Sequence, residues 1–120
     1  MAFLRVRHRQ RRFRRQLVRV LVDYHAAGAP HCEYATTLGA GGMFIETEAP
    51  LAPGTALRVR FRLPGGLALH AIDSRVTWQH RPGDTRAGDV RACGMGIEFT
   101  DAHAASALAR ELELLAEAAG

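Results

Sequence analysis

A dense group of arginines opens the sequence. Residues 1–22 contain eight arginines and no acid, and the densest stretch reads RQRRFRRQLVRVLV. A guanidinium group can pair with phosphate oxygens, form two parallel hydrogen bonds to guanine O6 and N7, and stack on a purine face. The other eight arginines stand against all 12 acids, so residues 23–120 carry a net charge of −4 within an overall +4. This division predicts an anionic partner that binds at the N-terminal arm.

The other side chains capable of chemistry are not arranged for it. The six histidines show no metal-ligand spacing, and the carboxylates form no close pair typical of a catalytic acid and base. No serine or cysteine lies in a nucleophile motif. We interpret Cys32 and Cys93, each within an apolar run, as buried thiols in a reducing compartment. The sequence therefore predicts no enzyme, no metal site and no cofactor.

Six segments after the arm have the pattern of short strands, separated by glycine- and proline-rich breaks such as HAAGAP, GAGG and PGG. The clearest period of two is in ALRVRFRL, where apolar residues alternate with arginines. That period predicts a buried inner face and a solvated outer face carrying Arg58, Arg60 and Arg62. The first strand, LVRVLVDY, has the same period. The predicted inner set of ALRVRFRL is Leu57, Val59, Phe61 and Leu63.

The fifth segment, LALHAIDSRVTWQH, is long and less regular. Its inward parity changes between Ala71 and Val76, which predicts a bulge or bend near Asp73 and Ser74. We interpret Trp78, near its end, as a core or barrel-mouth aromatic residue.

An amphipathic helix ends the chain. AHAASALARELELLAEAA has leucines at positions 108, 112 and 115, and either Thr100 or Asp101 caps its start. Six antiparallel strands with one terminal helix predict an all-β fold, a small six-stranded antiparallel β-barrel plus one C-terminal α-helix, because closure removes exposed edges. We divide the chain into a basic arm, residues 1–16, and a barrel with its helix, residues 17–120, the helix covering about 101–119. No segment has the length of a membrane span or the core of a signal peptide, which predicts a cytoplasmic protein.

The order and spacing of several segments resemble those of the PilZ domain family. These are RRFRRQLVRVLV, YATTLGAGGMFIET, PLAPGTALRVRFRLPGG, RVTWQ and CGMGIEF, which together span nearly the whole chain. The resemblance implies a six-stranded barrel that binds the bacterial second messenger cyclic di-GMP. It also implies that an RxxxR motif holds the ligand, and this motif fits Arg11 through Arg15, with Arg12 and Arg14 as alternatives.

The second motif of the family, [D/N]xSxxG, departs from its pattern in this chain. Aligned on its glycines, TLGAGG places Thr37 at the acidic or amide position and Gly39 at the serine position, while Gly42 matches the final glycine. Successive backbone N–H groups in GAGG, including that of Gly41, could still cradle a phosphate. The resemblance therefore implies a ligand site formed by the four arginines together with Thr37, Gly39, Gly41 and Gly42.

Three functions of different classes remain open. The first is a cyclic di-GMP receptor or adaptor, a monomer or homodimer, that transmits the level of the messenger to an unidentified protein effector. The second is a degenerate PilZ domain that binds no nucleotide and acts through protein contacts, as the departures at Thr37 and Gly39 suggest. The third is nucleic-acid binding by the arm, which we disfavour because only Phe13 is interleaved as a stacking aromatic residue.

Overall fold

The computed structural model describes residues 16–81 and 93–119, and it confirms the predicted architecture. Six antiparallel strands form a closed barrel in the order β1-β2-β3-β6-β5-β4, and one helix follows them. The elements are β1 (Gln16–Ala26), β2 (Ala29–Leu38), β3 (Gly42–Glu46), β4 (Ala56–Arg62), β5 (Leu69–His80), β6 (Gly94–Phe99) and the helix α1 (Ala102–Ala119). No helix in this part of the chain is long and apolar enough to cross a membrane.

The core of the barrel follows the period of two seen in the sequence. Every second residue of β4 is buried, and the three arginines between them are exposed, as predicted. β1 buries Val20, Val22 and Tyr24 by the same alternation. Burying one such side chain stabilises the fold by about 1.5–3 kcal/mol, so this pattern fixes which face of each strand turns inward.

The predicted bulge near Asp73 and Ser74 is wrong. β5 alternates regularly from Leu69 to Val76, and its register with β6 shifts only after Val76. The polar residues His70 and Ser74 face inward there, and each has a hydrogen-bond partner. The Ser74 hydroxyl donates to the Ile72 carbonyl at 3.0 Å. The prediction failed because it took Ala71 as inward-facing, whereas Ala71 is exposed.

The two cysteines are also more accessible than predicted. Cys32 is exposed, and Cys93 is half-buried. Cys32 occupies an outward position of β2, opposite Asp23 of β1. The apolar run around Cys32 in the sequence therefore does not place its side chain on the inner face of the strand.

The helix α1 begins after Asp101, which resolves the two capping candidates. The Asp101 carboxylate accepts a hydrogen bond from the Ala104 N–H at 3.1 Å, which satisfies one of the unpaired donors at the helix start. Leu108 is fully buried, and Leu112 and Leu115 pack against the barrel core. The predicted leucine face is therefore the one that attaches α1 to the barrel.

The barrel has two distinct ends. Gln16 of β1 pairs with Leu38 of β2, and Arg62 of β4 pairs with Leu69 of β5, so these strand termini lie at one end, which we call the arm end. The opposite end, which we call the far end, contains the β1–β2 turn and the segments after β3 and β5. In that turn Ala27 and Gly28 both have positive φ, as a tight two-residue hairpin requires.

Candidate functional site

The pairing of β1 with β2 determines where the arginine arm joins the barrel. Gln16, the first residue of β1, is opposite Leu38, the last residue of β2, and Leu38 directly precedes Gly39. Arg15 is bonded to Gln16, so its Cα lies within about 4 Å of the Gln16 Cα. The arm therefore enters the barrel beside the glycine turn, residues 39–42.

The predicted site residues fall into two groups. The structure places Thr37, Gly39, Gly41 and Gly42 together at the arm end, at the end of β2 and in the turn that follows. The others lie outside the described residues; they are Arg11, Arg12, Arg14 and Arg15.

The glycine turn is held by backbone hydrogen bonds. The Gly39 N–H donates to the Gly42 carbonyl at 3.0 Å, and the Phe99 N–H donates to the Gly41 carbonyl at 3.0 Å. The Gly39 amide is therefore already used within the turn. A phosphate cradle at this place would have to use other amides of the turn.

Gly42 is required by the packing of the barrel itself. A Cβ at this position would overlap the carbonyl oxygen of Ile97 on β6. Any side chain would therefore push β3 away from β6, where Gly42 pairs with Glu98. The one residue that fits the second motif is thus explained by strand packing, whether or not a ligand binds.

Thr37 carries an unsatisfied polar atom. Its hydroxyl is buried and has no hydrogen-bond partner among residues 16–81 and 93–119. The register of β2 with β3 shifts between Ala35 and Thr37, so an extra residue bulges there. A buried hydroxyl without a partner costs about 1–3 kcal/mol, which leaves this group ready to accept or donate when a partner arrives.

An aromatic pair of a half-buried Phe44 and an exposed Trp78 continues the row that starts at Thr37. Thr37 pairs with Phe44 of β3, and Phe44 and Trp78 both pair with Gly96 of β6. The Phe44 and Trp78 rings stack at 5.2 Å with 21° between their planes, and a Cβ on Gly96 would overlap the Trp78 ring. Trp78 is 44% exposed on the outer side of β5, so it is not a core residue.

Sequence reasoning missed this pair because it depends on cross-strand register. The glycine in the middle of CGMGIEF was the available indication, since glycine within a strand often marks close approach by another group. The pair presents a flat apolar surface that could stack with a planar ring.

Two cavities flank α1 at the arm end. One, of about 330 Å³, lies between the glycine turn and the first half of α1, and its only charged lining residue is Glu98. The second, of about 260 Å³, is an apolar groove next to the second half of α1. We define the apolar groove by its lining residues, Gln16, Val18, Leu38, Leu63, Pro64, Leu112, Leu115 and Ala116.

A hydrogen bond between the buried His70 and the partly buried Glu111 attaches α1 beside these cavities. His70 Nε2 donates to Glu111 Oε1 at 2.6 Å, and the side chains are 5% and 17% exposed. The Ala68 N–H donates to the other carboxylate oxygen at 3.4 Å. The hydrogen bond from His70 is the main reason that the pKa of Glu111 is lowered.

The far end of the barrel has the opposite electrostatic character to the arm. Glu33, Glu46 and Glu48 line an open depression there. The Tyr24 hydroxyl donates to Glu33 at 3.1 Å, and burial, with Glu33 second, raises the pKa of Tyr24 to about 12. Three carboxylates at one place repel anions, so the far end is unsuited to a phosphate ligand. Across the described chain, no three side chains come together that could bind a metal ion.

Comparison with known families decides the identity of this fold. The family model of the PilZ domain matches residues 9–116, which is most of the chain. The chain belongs to the PilZ domain family. PilZ domains form a family of cyclic di-GMP receptors, and the match includes the arm from residue 9 onward and the glycine turn.

A solved structure agrees with this assignment. The PilZ chain is similar to the Bacillus subtilis Inhibitor of motility (MotI/DgrA), with a TM-score of 0.66 and 18% sequence identity. The alignment covers 85% of this chain and 48% of that one, so the PilZ chain spans about half the length of the compared structure. At this identity the likeness shows the fold alone. None of the curated proteins compared matches the sequence.

Proposed function

We propose that this PilZ domain is a cyclic di-GMP receptor that binds its ligand at the arm end and transmits the messenger level to a protein effector. The observation that supports this most is the pairing of Gln16 with Leu38. This pairing attaches the segment with the RxxxR spacing to the barrel beside the glycine turn, where the second motif of the family aligns. The two ligand-binding segments of the family are therefore adjacent in this chain as well.

The chemistry of the arm end suits a cyclic dinucleotide. The seven arginines of residues 1–15 can pair with its two phosphates and stack on its guanines. The unpartnered Thr37 hydroxyl lies next to the glycine turn and can hydrogen-bond a base edge. Trp78 and Phe44 extend the same row of the outer surface, so a base can stack there.

Calorimetric titration with cyclic di-GMP at physiological salt tests this function. Saturable binding is expected for the natural chain, and Arg11→Ala/Arg15→Ala is expected to weaken it by about 100-fold or more, because two or more charge-assisted hydrogen bonds are lost. GTP serves as the control ligand.

The chain offers a matched control variant. Arg58 and Arg62 have the same spacing as Arg11 and Arg15 and lie exposed on β4, so Arg58→Ala/Arg62→Ala removes equal charge from another place. This variant is expected to bind as the natural chain does. An equal loss of cyclic di-GMP affinity in both variants would indicate a general charge effect and would contradict the proposed site.

The second candidate function is a PilZ domain that acts through protein contacts without nucleotide. The absence of a side chain at Gly39 and the packing explanation for Gly42 favour it, because neither residue then indicates a ligand. Absence of binding heat at high protein concentration would select this alternative. A rise in melting temperature with cyclic di-GMP that depends on Arg11 and Arg15 would exclude it.

A further inference from the structure

Glu98 is a charged residue that lies beside the glycine turn. It pairs with Gly42 across β3 and β6, and it is exposed on the outer side of the barrel. Its side chain lines the cavity of about 330 Å³ between the turn and the first half of α1. The turn residues in that lining are small, Ala40 and Gly41. The turn thus contributes no large side chain that could cover the Glu98 carboxylate.

An ion pair holds this carboxylate in position without covering it. Arg75 of β5 is opposite Glu98, and its Nη2 donates to Glu98 Oε1 at 2.9 Å. Both side chains remain accessible, at 54% and 52% exposure. An ionised carboxylate has about four acceptor sites on its two oxygens, so Glu98 can accept further hydrogen bonds while Arg75 stays in place. Arg75 also offsets the negative charge that would otherwise repel an anionic ligand.

The rest of the cavity has the character of a site for a planar ring. Among the described residues of its lining, Ser106 has the one other polar side chain. The remaining lining residues are small or apolar: Ala40, Gly41, Phe99, Ala102, Ala105 and Ala109. Small-ligand sites of about 300–1,000 Å³ are mostly apolar, with a few polar groups that fix the orientation of the ligand. Glu98 is therefore the group that would select the ligand in this cavity.

A carboxylate at this place favours guanine over adenine. Guanine presents two adjacent donors, N1–H and N2–H, which a carboxylate can accept as a parallel pair of charge-assisted hydrogen bonds. Adenine presents an acceptor at N1, which a carboxylate repels. The second motif of the family aligns Thr37 where an acid or amide is expected, and the Thr37 side chain has a single oxygen. Glu98 can provide the pair of acceptors that Thr37 lacks.

We propose that Glu98 recognises the N1–H and N2–H edge of one guanine of bound cyclic di-GMP, in the cavity beside the glycine turn. This assignment rests on the proposed function. It explains how the chain selects guanine although Thr37 and Gly39 depart from the family motif. Glu98 is then a specificity-determining residue that Arg75 holds in place, and α1 forms one wall of the base site.

Titration calorimetry with two cyclic dinucleotides tests this contact. Cyclic di-GMP is compared with cyclic di-inosine monophosphate (cyclic di-IMP), which lacks the N2 amino group and is otherwise the same. The natural chain is expected to bind cyclic di-GMP about tenfold more tightly, because a charge-assisted hydrogen bond is lost with cyclic di-IMP. Glu98→Ala is expected to weaken binding of cyclic di-GMP by about tenfold or more and to bring the two affinities close together.

Asp73→Ala is the matched control. Asp73 accepts a hydrogen bond from Arg58 at 2.7 Å in another exposed cross-strand ion pair, and it does not line the cavity. Both variants are expected to fold, because exposed ion pairs contribute little to stability. Each variant removes one negative charge, which by itself favours an anionic ligand, so Asp73→Ala should not weaken binding.

The outcomes separate this contact from the proposed function. Loss of affinity in Glu98→Ala alone, together with loss of the preference for cyclic di-GMP over cyclic di-IMP, would support the contact. An unchanged preference in Glu98→Ala, or an equal loss of affinity in Asp73→Ala, would overturn the contact and leave the proposed function intact. If the natural chain binds neither nucleotide, the proposed function fails and the contact fails with it.

Discussion

The two ends of the barrel differ in both charge and construction. The arm end receives the arginine segment, is flanked by α1 and contains the hydrogen bond between His70 and Glu111. The far end is open and collects three glutamates around a depression. Both ends are built from the turns of the same six strands, so they differ through the arm, α1 and the charged side chains.

The difference in charge determines which end of the barrel is suited to an anionic ligand. We expect the arginines attached at the arm end to attract an anionic ligand and the three glutamates of the far end to repel it. Packing does not follow this division, because a Cβ would overlap a backbone carbonyl both at Gly42, at the arm end, and at Gly94, at the far end. Substitutions at the arm end should therefore affect binding more than substitutions at the far end, whereas effects on stability depend on the individual residue.

The largest effect is expected from Gly42→Ala. The new methyl group would overlap a backbone carbonyl on β6, and relief requires the strands to separate, so we expect a loss of about 3 kcal/mol or more in the free energy of unfolding. Gly54→Ala is the control, because that glycine has open space around it and a φ of 92°. Its cost should be about 1–2 kcal/mol. Urea unfolding of both variants measures the difference, and similar losses would show that β3 and β6 accommodate the methyl group at Gly42 at little cost.

Glu111→Gln is expected to have the next largest effect, a loss of about 1–2 kcal/mol at neutral pH, because it weakens a charge-assisted hydrogen bond to His70. The pKa of Glu111 is lowered in the folded state, so its stabilisation is present above about pH 4.3 and is lost as the pH falls through the lowered value. Urea unfolding at pH 7 and in acid should show that the natural chain and the variant converge at low pH. A difference that persists unchanged in acid would mean that the ionised carboxylate is not the source.

Thr37→Val is expected to stabilise the barrel by about 1 kcal/mol, since it removes a buried hydroxyl that lacks a partner and keeps the shape of the side chain. Thr77→Val is the matched control, because the Thr77 hydroxyl donates to the Gly96 carbonyl at 3.3 Å. The stability of that variant should not increase. Thermal melting of the two variants tests the contrast, and destabilisation by Thr37→Val would show that the hydroxyl has a partner outside the described residues.

The smallest effect is expected at the far end, from Glu33→Gln. A glutamine oxygen can still accept from the Tyr24 hydroxyl, so the loss at neutral pH should be about 0.5 kcal/mol. The pKa of Tyr24 should fall below about 12, because a carboxylate charge is removed while burial remains. Ultraviolet absorbance during alkaline titration measures this change. An unaltered tyrosine titration would mean that burial alone holds the pKa of Tyr24.

Most of the fold could be predicted from the sequence, because burial in a barrel has a simple period. The alternation in β4 and the leucines of α1 each indicated the buried face correctly. The prediction failed in β5, where the buried His70 has a partner that the local sequence does not reveal. Glu111, the partner of His70, lies 41 positions away, so its role depends on tertiary contacts.

The candidate site was less predictable than the fold. The motif pattern indicated the glycine turn, and the structure adds that Gly42 has a packing reason of its own. The unpartnered Thr37 hydroxyl and the stack of Trp78 on Phe44 depend on strand register, which the sequence does not specify at single-residue accuracy. The apolar groove arises only where α1 meets three strands, so no local pattern could indicate it.

The seam between β1 and β4 also bears on how the chain reaches its native state. The seam joins Asp23 to Arg60, which are far apart in sequence, so the chain must close a long loop before this pairing contributes. Proteins dominated by such non-local pairings fold on the order of milliseconds to seconds. Until the seam forms, β1 and β4 each present an unpaired edge to solvent. The yield of refolded protein should therefore fall as the protein concentration during refolding rises.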